Sequence, residues 1–184
     1  LVGGKDDGLA SRFVIFDYAM LLDYPPYQVD HEAQSYGDTC AILWTSGTTG
    51  RSKGVMIPYN AWIHAIVRGA SMQYRSQEGD IIYNVLPLFN AGAWVTAVLR
   101  GLLEGLTVVI EQRFSVSNFM DRIKHFGATQ TFALGAMGTF LLNTPETEDD
   151  SATPLRVAQV VPLAPDLWPV FSKRFDVRLA RGGL

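Results

Sequence analysis

Apolar positions fall into two rhythms that alternate along the chain. Short runs dense in Val, Ile, Leu and Phe predict strands at Arg12–Phe16, Thr39–Thr45, Asp80–Leu86, Thr107–Ile110, Thr129–Leu134, Leu155–Val161 and Val177–Ala180. Between them, apolar residues at helical spacing predict helices at Asn60–Tyr74, Ala91–Leu103, Ser115–His125, Met137–Asn143 and Asp166–Arg174. Ser115 reads as the N-cap of the third helix and Gly127 as its stop. The stretch Asp23–Gly37, with Pro25 and Pro26, reads as an irregular connection, because consecutive prolines suit neither a helix interior nor a central strand. The acidic Asn143–Thr153 reads as a solvated surface loop. Regular alternation of strand and helix predicts an α/β fold, a mostly parallel sheet flanked by helices and joined by right-handed crossovers.

Composition narrows the function classes. Apolar residues make up 48% and charged residues 18% of 184, the balance of a folded globular chain. The net charge of −3 and the lack of any Lys/Arg run give no support to electrostatic capture of nucleic acid or of an anionic membrane. No apolar stretch reaches the roughly 20 residues of a membrane helix, so no transmembrane segment is expected. Cys40 is the only cysteine, which rules out an internal disulfide and makes a reducing, cytoplasmic setting the expectation; the residue itself reads as small and buried beside its strand. Trp44 reads as core. His31, His64 and His125 have no metal-ligand spacing, and no metal site is assigned within the chain. Both ends read as cuts in a longer chain.

The chemistry concentrates in Thr45-Ser46-Gly47-Thr48-Thr49-Gly50-Arg51-Ser52-Lys53-Gly54. Its glycines let successive N–H groups turn toward one anion. Thr45, Ser46, Thr48 and Thr49 add hydroxyl donors, and Lys53 adds a flexible positive charge suited to a polyphosphate. The loop follows a strand, and we expect it at the carboxyl edge of the sheet, where α/β folds bind ligands. A Walker-type loop is excluded, since that motif needs Gly-Lys-Ser/Thr, whereas Lys53 stands between Ser52 and Gly54.

Leu43–Val55, LWTSGTTGRSKGV, closely resembles the phosphate-binding motif of the adenylate-forming superfamily, with Ser52 where the family usually has Pro. Val85–Gly92, VLPLFNAG, is similar to its second core motif, with Asn90 where an aromatic residue or His is common. Arg113-Phe114-Ser115, followed by an amphipathic helix and Gly127-Ala128-Thr129, resembles the next family segment. Val160–Leu167 occupies the place of a Gly-Ala-Pro-Leu stretch that contacts adenine, and Gly183-Leu184 falls where the family reads Gly-Leu-Thr-Glu. The similarity covers residues 38–184, while 1–37 fit loosely. The chain is thus identified as an incomplete portion of the N-terminal domain of an acyl-CoA synthetase-like fold.

The resemblance implies a ligase that joins a small-molecule carboxylic acid to AMP, releasing pyrophosphate, and then to coenzyme A, with ATP and Mg2+ as further requirements. By position, Thr45, Ser46, Gly47, Thr48, Thr49, Gly50 and Lys53 would hold the β- and γ-phosphates. Phe89, Asn90, Ala91 and Gly92, with Leu134, Gly135 and Ala136, would sit near the acyl group, and Val161, Pro162 and Leu163 on the adenine side. The magnesium-binding Glu, the ribose-binding Asp and the C-terminal lid with its catalytic Lys would lie past Leu184, so the remainder of the polypeptide is the implied partner. Two other readings stay open: a non-catalytic nucleotide-binding module, and an adenylation domain that loads a carrier protein. On the ligase reading, the 184-residue chain alone catalyses neither half-reaction; acid-dependent pyrophosphate release from the purified chain would contradict this.

Overall fold

The structure, a computed structural model, describes residues 20, 22–23, 25, 34–45 and 50–180. Contacts divide the chain into Leu1–Ser35 and Tyr36–Leu184, and the elements below belong to the second unit. The expected strand Arg12–Phe16 and most of the expected connection Asp23–Gly37 lie outside the described residues.

Seven strands are described: β1 (Thr39–Thr45), β2 (Lys53–Pro58), β3 (Ile81–Asn84), β4 (Thr107–Ile110), β5 (Gln130–Leu134), β6 (Val157–Val161) and β7 (Arg178–Leu179). The last five form a parallel sheet in the order β4-β3-β5-β6-β7, as the alternation predicts. Five helical segments connect the strands: α1 (residues 59–74), α2 (91–104), α3 (Phe119–Phe126), α4 (Gly135–Leu142) and α5 (Leu167–Phe175). Both α1 and α2 widen into π-helical turns, at Ala65–Ser71 and Trp94–Val98.

β1 is not a strand of that sheet. It pairs antiparallel with β2, an element absent from the sequence reading, and the two make a separate hairpin. The Gly/Ser/Thr loop is therefore the hairpin's connection and does not leave the carboxyl edge of the parallel sheet. β2 escapes detection because its first four residues are exposed, which erases the alternation that marks a half-buried strand.

The strand order fixes which face each helix covers. The path β3 to β4 moves one way across the sheet, and β4 to β5 to β6 to β7 moves the other way. Right-handed crossovers then put α2 on one face and α3, α4 and α5 on the opposite one. The two cores agree. Phe119, Ile123, Leu141, Phe171 and Phe175 pack with Tyr83, Ala133, Ala158 and Val160. On the other face, Trp62, Ile66, Ala70 and Tyr74 of α1 pack with Val95 of α2, Val157 and the inner side of the hairpin.

The amino edge of the sheet is tied by a buried polar network. Arg100 on α2 is fully buried and donates through Nη1 to Gln130 Oε1 at 2.7 Å and to Glu104 Oε2 at 3.2 Å, with its guanidinium 4.1 Å from the Tyr74 ring centre. Gln130 in turn donates to Asp80 Oδ2 at 2.6 Å, and Arg156 donates to the same oxygen. Burial pushes the Asp80 pKa up, but hydrogen bonds from Gln77, Thr129 and Gln130 and the charge of Arg156 outweigh it, so the net shift is downward. A carboxylate with a depressed native pKa contributes stability that is present above its unfolded pKa, about 3.9, and lost as pH falls through the native value. The unfolding midpoint is therefore expected to drop on acidification below about pH 4. Asp80→Asn should be less stable than the parent at neutral pH and lose less on acidification, as read by denaturant titration; parallel pH profiles for the two proteins would refute this assignment.

Two further sequence expectations need correction. Trp44 is 72% exposed, because alternation along β1 sends Ile42 and Trp44 outward while Ala41 and Leu43 face the helices. Ser115 precedes the turn into α3 but makes no capping bond; its hydroxyl meets Ser117 Oγ at 3.3 Å instead. Asn143–Thr153 is a largely exposed loop, as expected, and Arg174 anchors it by donating to Leu142 O, Thr144 O, Pro145 O and Asp150 Oδ2. Gly127 ends α3 in the left-handed region at φ 63°, as expected. Cys40 is half-buried, and its thiol donates to Ile57 O at 3.2 Å. Among the described residues, no helix is long and apolar enough to cross a membrane.

Candidate functional site

The direction in which successive strands are added across the sheet reverses between β3 and β5, so the turns leaving their carboxyl ends diverge to opposite faces and leave a crevice. Three turns border it. The first, residues 85–90, is fixed by side chains from both ends. Buried Asn84 donates through Nδ2 to Leu86 O at 2.9 Å, and Trp94 donates through Nε1 to Leu88 O at 2.6 Å. Asn90 caps α2, its Oδ1 accepting from Gly92 N at 2.8 Å. That position, where an aromatic residue or His is common in the resembling family, here serves the helix end. A cap of this kind is worth about 1 kcal/mol. With the backbone held, the Phe89 ring projects at the rim, 83% exposed.

The second turn, Leu134–Ala136, enters α4, and the third, Val161–Leu163, leaves β6. They press together: a Cβ at Gly135 would stand 1.5 Å from Pro162 O. The first turn joins them through Gly92, whose Cβ would meet Leu86 Cδ1 and the Phe132 ring at 3.2 Å. Leu86, Ala93 and Phe132 form a small core with Met137 and Val161 behind all three turns. The structure thus brings Phe89, Asn90, Ala91, Gly92, Gly135 and Ala136 together with Val161, Pro162 and Leu163 at one edge. Val160, beside them, faces away and fills the space above Gly138.

The phosphate-loop candidates are described only at their ends. Ser46, Gly47, Thr48 and Thr49 lie outside the described residues. Thr45 and Lys53 are register partners that close the hairpin, and Thr45 Oγ1 donates to Lys53 O at 3.4 Å. Gly50 sits at φ 121°, a conformation that side chains resist. Lys53 is exposed, and among the described residues it forms no ion pair. Among the described residues, no group of three His, Cys, Asp or Glu side chains is placed to hold a metal, so no residue here is assigned to magnesium.

Sequence reasoning missed an apolar groove of about 690 Å³ between the hairpin, α1 and α2, lined by Leu43, Trp62, Ile66, Trp94, Leu99 and Leu103 among others. Trp94 belongs both to this groove and to the clamp on Leu88, which makes the groove continuous with the first turn. The available signal was excess apolar surface: Leu102 and Leu103 extend the α2 stripe and stay 76% and 62% exposed.

A profile of the AMP-binding enzyme family matches residues 9–183. The medium/long-chain-fatty-acid–CoA ligase of Mycobacterium tuberculosis is 33% identical over 140 residues, covering 76% of this chain and 24% of that protein. The steroid-22-oyl-CoA synthetase of Rhodococcus jostii is 29% identical over 192 residues, covering 98% and 34%. Among solved structures, O-succinylbenzoate coenzyme A synthetase from Bacillus subtilis, in complex with ATP and magnesium ion, superposes with a TM-score of 0.70 at 25% identity, over 89% of this chain and 34% of that one. The chain therefore spans about a quarter to a third of the length of these relatives.

Proposed function

This chain belongs to the AMP-binding enzyme family, and from that we propose that it supplies the pyrophosphate-binding loop and one wall of the acyl pocket of an ATP-dependent acid–thiol ligase. The reaction has two steps. A carboxylate oxygen attacks the α-phosphorus of ATP, the bond to the β-phosphate bridge breaks, and pyrophosphate leaves with its charge. The thiol of coenzyme A then attacks the acyl carbon, and AMP departs.

Charge neutralisation and positioning dominate such transfers. Lys53 and the hydroxyls of Thr45, Ser46, Thr48 and Thr49 would take the growing charge on pyrophosphate, with N–H groups of the glycine-rich turn beside them. Magnesium would neutralise phosphate charge when bound. The adenylate would lie along Val161, Pro162 and Leu163, with its acyl end toward Phe89–Gly92 and Gly135–Ala136. The ligase would act in the cytoplasm, where ATP and coenzyme A meet the acid.

One observation carries the reading: the three turns converge on one crevice that runs into an apolar groove. A volume of about 690 Å³ suits an extended aliphatic or fused-ring acid. The relatives named for fatty-acid and steroid substrates are consistent with such acids. ATP–pyrophosphate exchange by the full-length protein across acids of increasing length tests it. Exchange should be strongest with long or polycyclic apolar acids; no stimulation by any acid, or a preference for acetate, would reject the proposal.

A further inference from the structure

A second cavity, of about 230 Å³, opens at the carboxyl end of β4 and shares no lining residue with the turns described above; Tyr83, Glu111, Arg113, Ser115, Asn118 and Arg122 stand in its walls. Its charges do not cancel. Glu111 Oε1 accepts from Arg122 Nε at 2.6 Å and from the Tyr83 hydroxyl at 3.4 Å. Burial, reinforced by the Glu111 charge, pushes the Tyr83 pKa up to about 12, so that hydroxyl stays a donor to the carboxylate. One acid is thus matched by one base. Arg113 adds a positive charge that forms no ion pair among the described residues.

The donors remaining are those an oxyanion needs. Arg122 spends only Nε on Glu111, and its guanidinium is oriented over the Phe126 ring at 4.5 Å, which fixes the plane in which its terminal N–H groups lie. Asn118 is held through its Oδ1, which accepts from Ser117 Oγ at 3.4 Å and leaves the amide N–H groups unspent. Ser115 supplies a hydroxyl at the same wall. Guanidinium forks match phosphate oxygens better than a point charge does. The space admits a phosphate with a few waters of about 30 Å³ each.

We infer that this cavity binds a phosphate group, with Arg113 and the free edge of Arg122 as its charged arms and Ser115 and Asn118 as neutral donors. Two sources share that chemistry, inorganic phosphate and the 3′-phosphate of coenzyme A. Only the second rests on the ligase reading.

The test is calorimetric titration of the full-length protein with inorganic phosphate at constant ionic strength. A Lys53→Met background removes the charge of the proposed pyrophosphate loop, so that failure of one site is not mistaken for failure of the other. Saturable binding should persist in that background and weaken about tenfold on adding Arg113→Gln, the share of one charge-assisted hydrogen bond. Arg113 is exposed, so its replacement should leave the fold intact. Absence of phosphate binding in the Lys53→Met protein, insensitivity to Arg113→Gln, or acetate binding as tightly as phosphate would each overturn the inference. Comparing coenzyme A with 3′-dephospho-coenzyme A then identifies the source. An affinity gap that closes in Arg113→Gln assigns the coenzyme; equal affinities alongside retained phosphate binding assign the free ion.

Discussion

Replacing Lys53 with methionine in the full-length protein is expected to slow ATP–pyrophosphate exchange by two to three orders of magnitude, roughly the loss seen when one preorganised charge-stabilising donor is removed. Methionine keeps an unbranched stem of similar reach and removes only the ammonium group. The structural cost should be small. Lys53 stands exposed at the first position of β2, and its carbonyl, not its side chain, meets Thr45 Oγ1. Among the described residues, its ammonium has no carboxylate partner whose loss would unsettle the hairpin. The unfolding midpoint should therefore stay within about 0.5 kcal/mol of the parent, as for surface substitutions away from packed features. Measuring both quantities separates the roles. An exchange rate within threefold of the parent would remove Lys53 from the phosphate site; an equal fall in rate and stability would make it structural.

The contrast between what was legible in the residues and what was not follows the range of the interactions involved. Strands Thr39–Thr45 and Thr107–Ile110 were readable to the residue, because each is a compact apolar run between polar breaks. The end of α3 was readable because Gly127 in the left-handed region is a local signal. Family membership was legible for a related reason, since the motif LWTSGTTGRSKGV is contiguous and the profile match agrees with it. The partner of β1 was not legible. Antiparallel pairing across the glycine-rich loop sets Thr45 opposite Lys53, a register that no periodicity on β2 announces. The exposure of Trp44 is legible in the alternation of Ala41 and Leu43 with Ile42 and Trp44, although an aromatic in an apolar run reads as core.

Longer-range features were further out of reach. Arg174 was assigned to a helix, yet its guanidinium anchors a loop some thirty residues earlier, at Leu142, Thr144 and Pro145. The apolar groove exists only because α1 and α2 lie side by side against the hairpin, a tertiary fact that neither helix encodes alone. Opposite ends of the parallel sheet also divide their work. Asp80, Arg100, Gln130 and Arg156 link the amino edge through hydrogen bonds, whereas the carboxyl edge leaves Phe89, Leu88 and Leu134 exposed. Polar pairing at one end and exposed apolar turns at the other is what a sheet with a reversal between β3 and β5 permits.

Gly135 is where these two demands meet, and Gly135→Ala should be the most damaging glycine-to-alanine change among the described residues. The added carbon would stand 1.5 Å from the Pro162 carbonyl oxygen and 2.7 Å from its carbon, with backbone rather than a flexible side chain as the obstacle. Relief requires the β5–α4 turn and the β6–α5 turn to separate, pulling Met137 and Val161 off Leu86 and Phe132. Forcing atoms into a packed interior costs about 1–3 kcal/mol when side chains can yield, and a backbone obstacle puts this case at or above the upper end. The neighbouring Ala136→Gly is the control: Ala136 is exposed, and the change should cost no more than the helix propensity of about 1 kcal/mol. Denaturant titration should give the large loss for Gly135→Ala alone. Since the same movement opens the crevice between the proposed acyl and adenine sides, acid-stimulated exchange in the full-length protein should fall with it, even at temperatures where the variant remains folded. A Gly135→Ala protein with the parent's midpoint and the parent's exchange rate would mean that the two turns do not touch as described, and the crevice built on them would have to be redrawn.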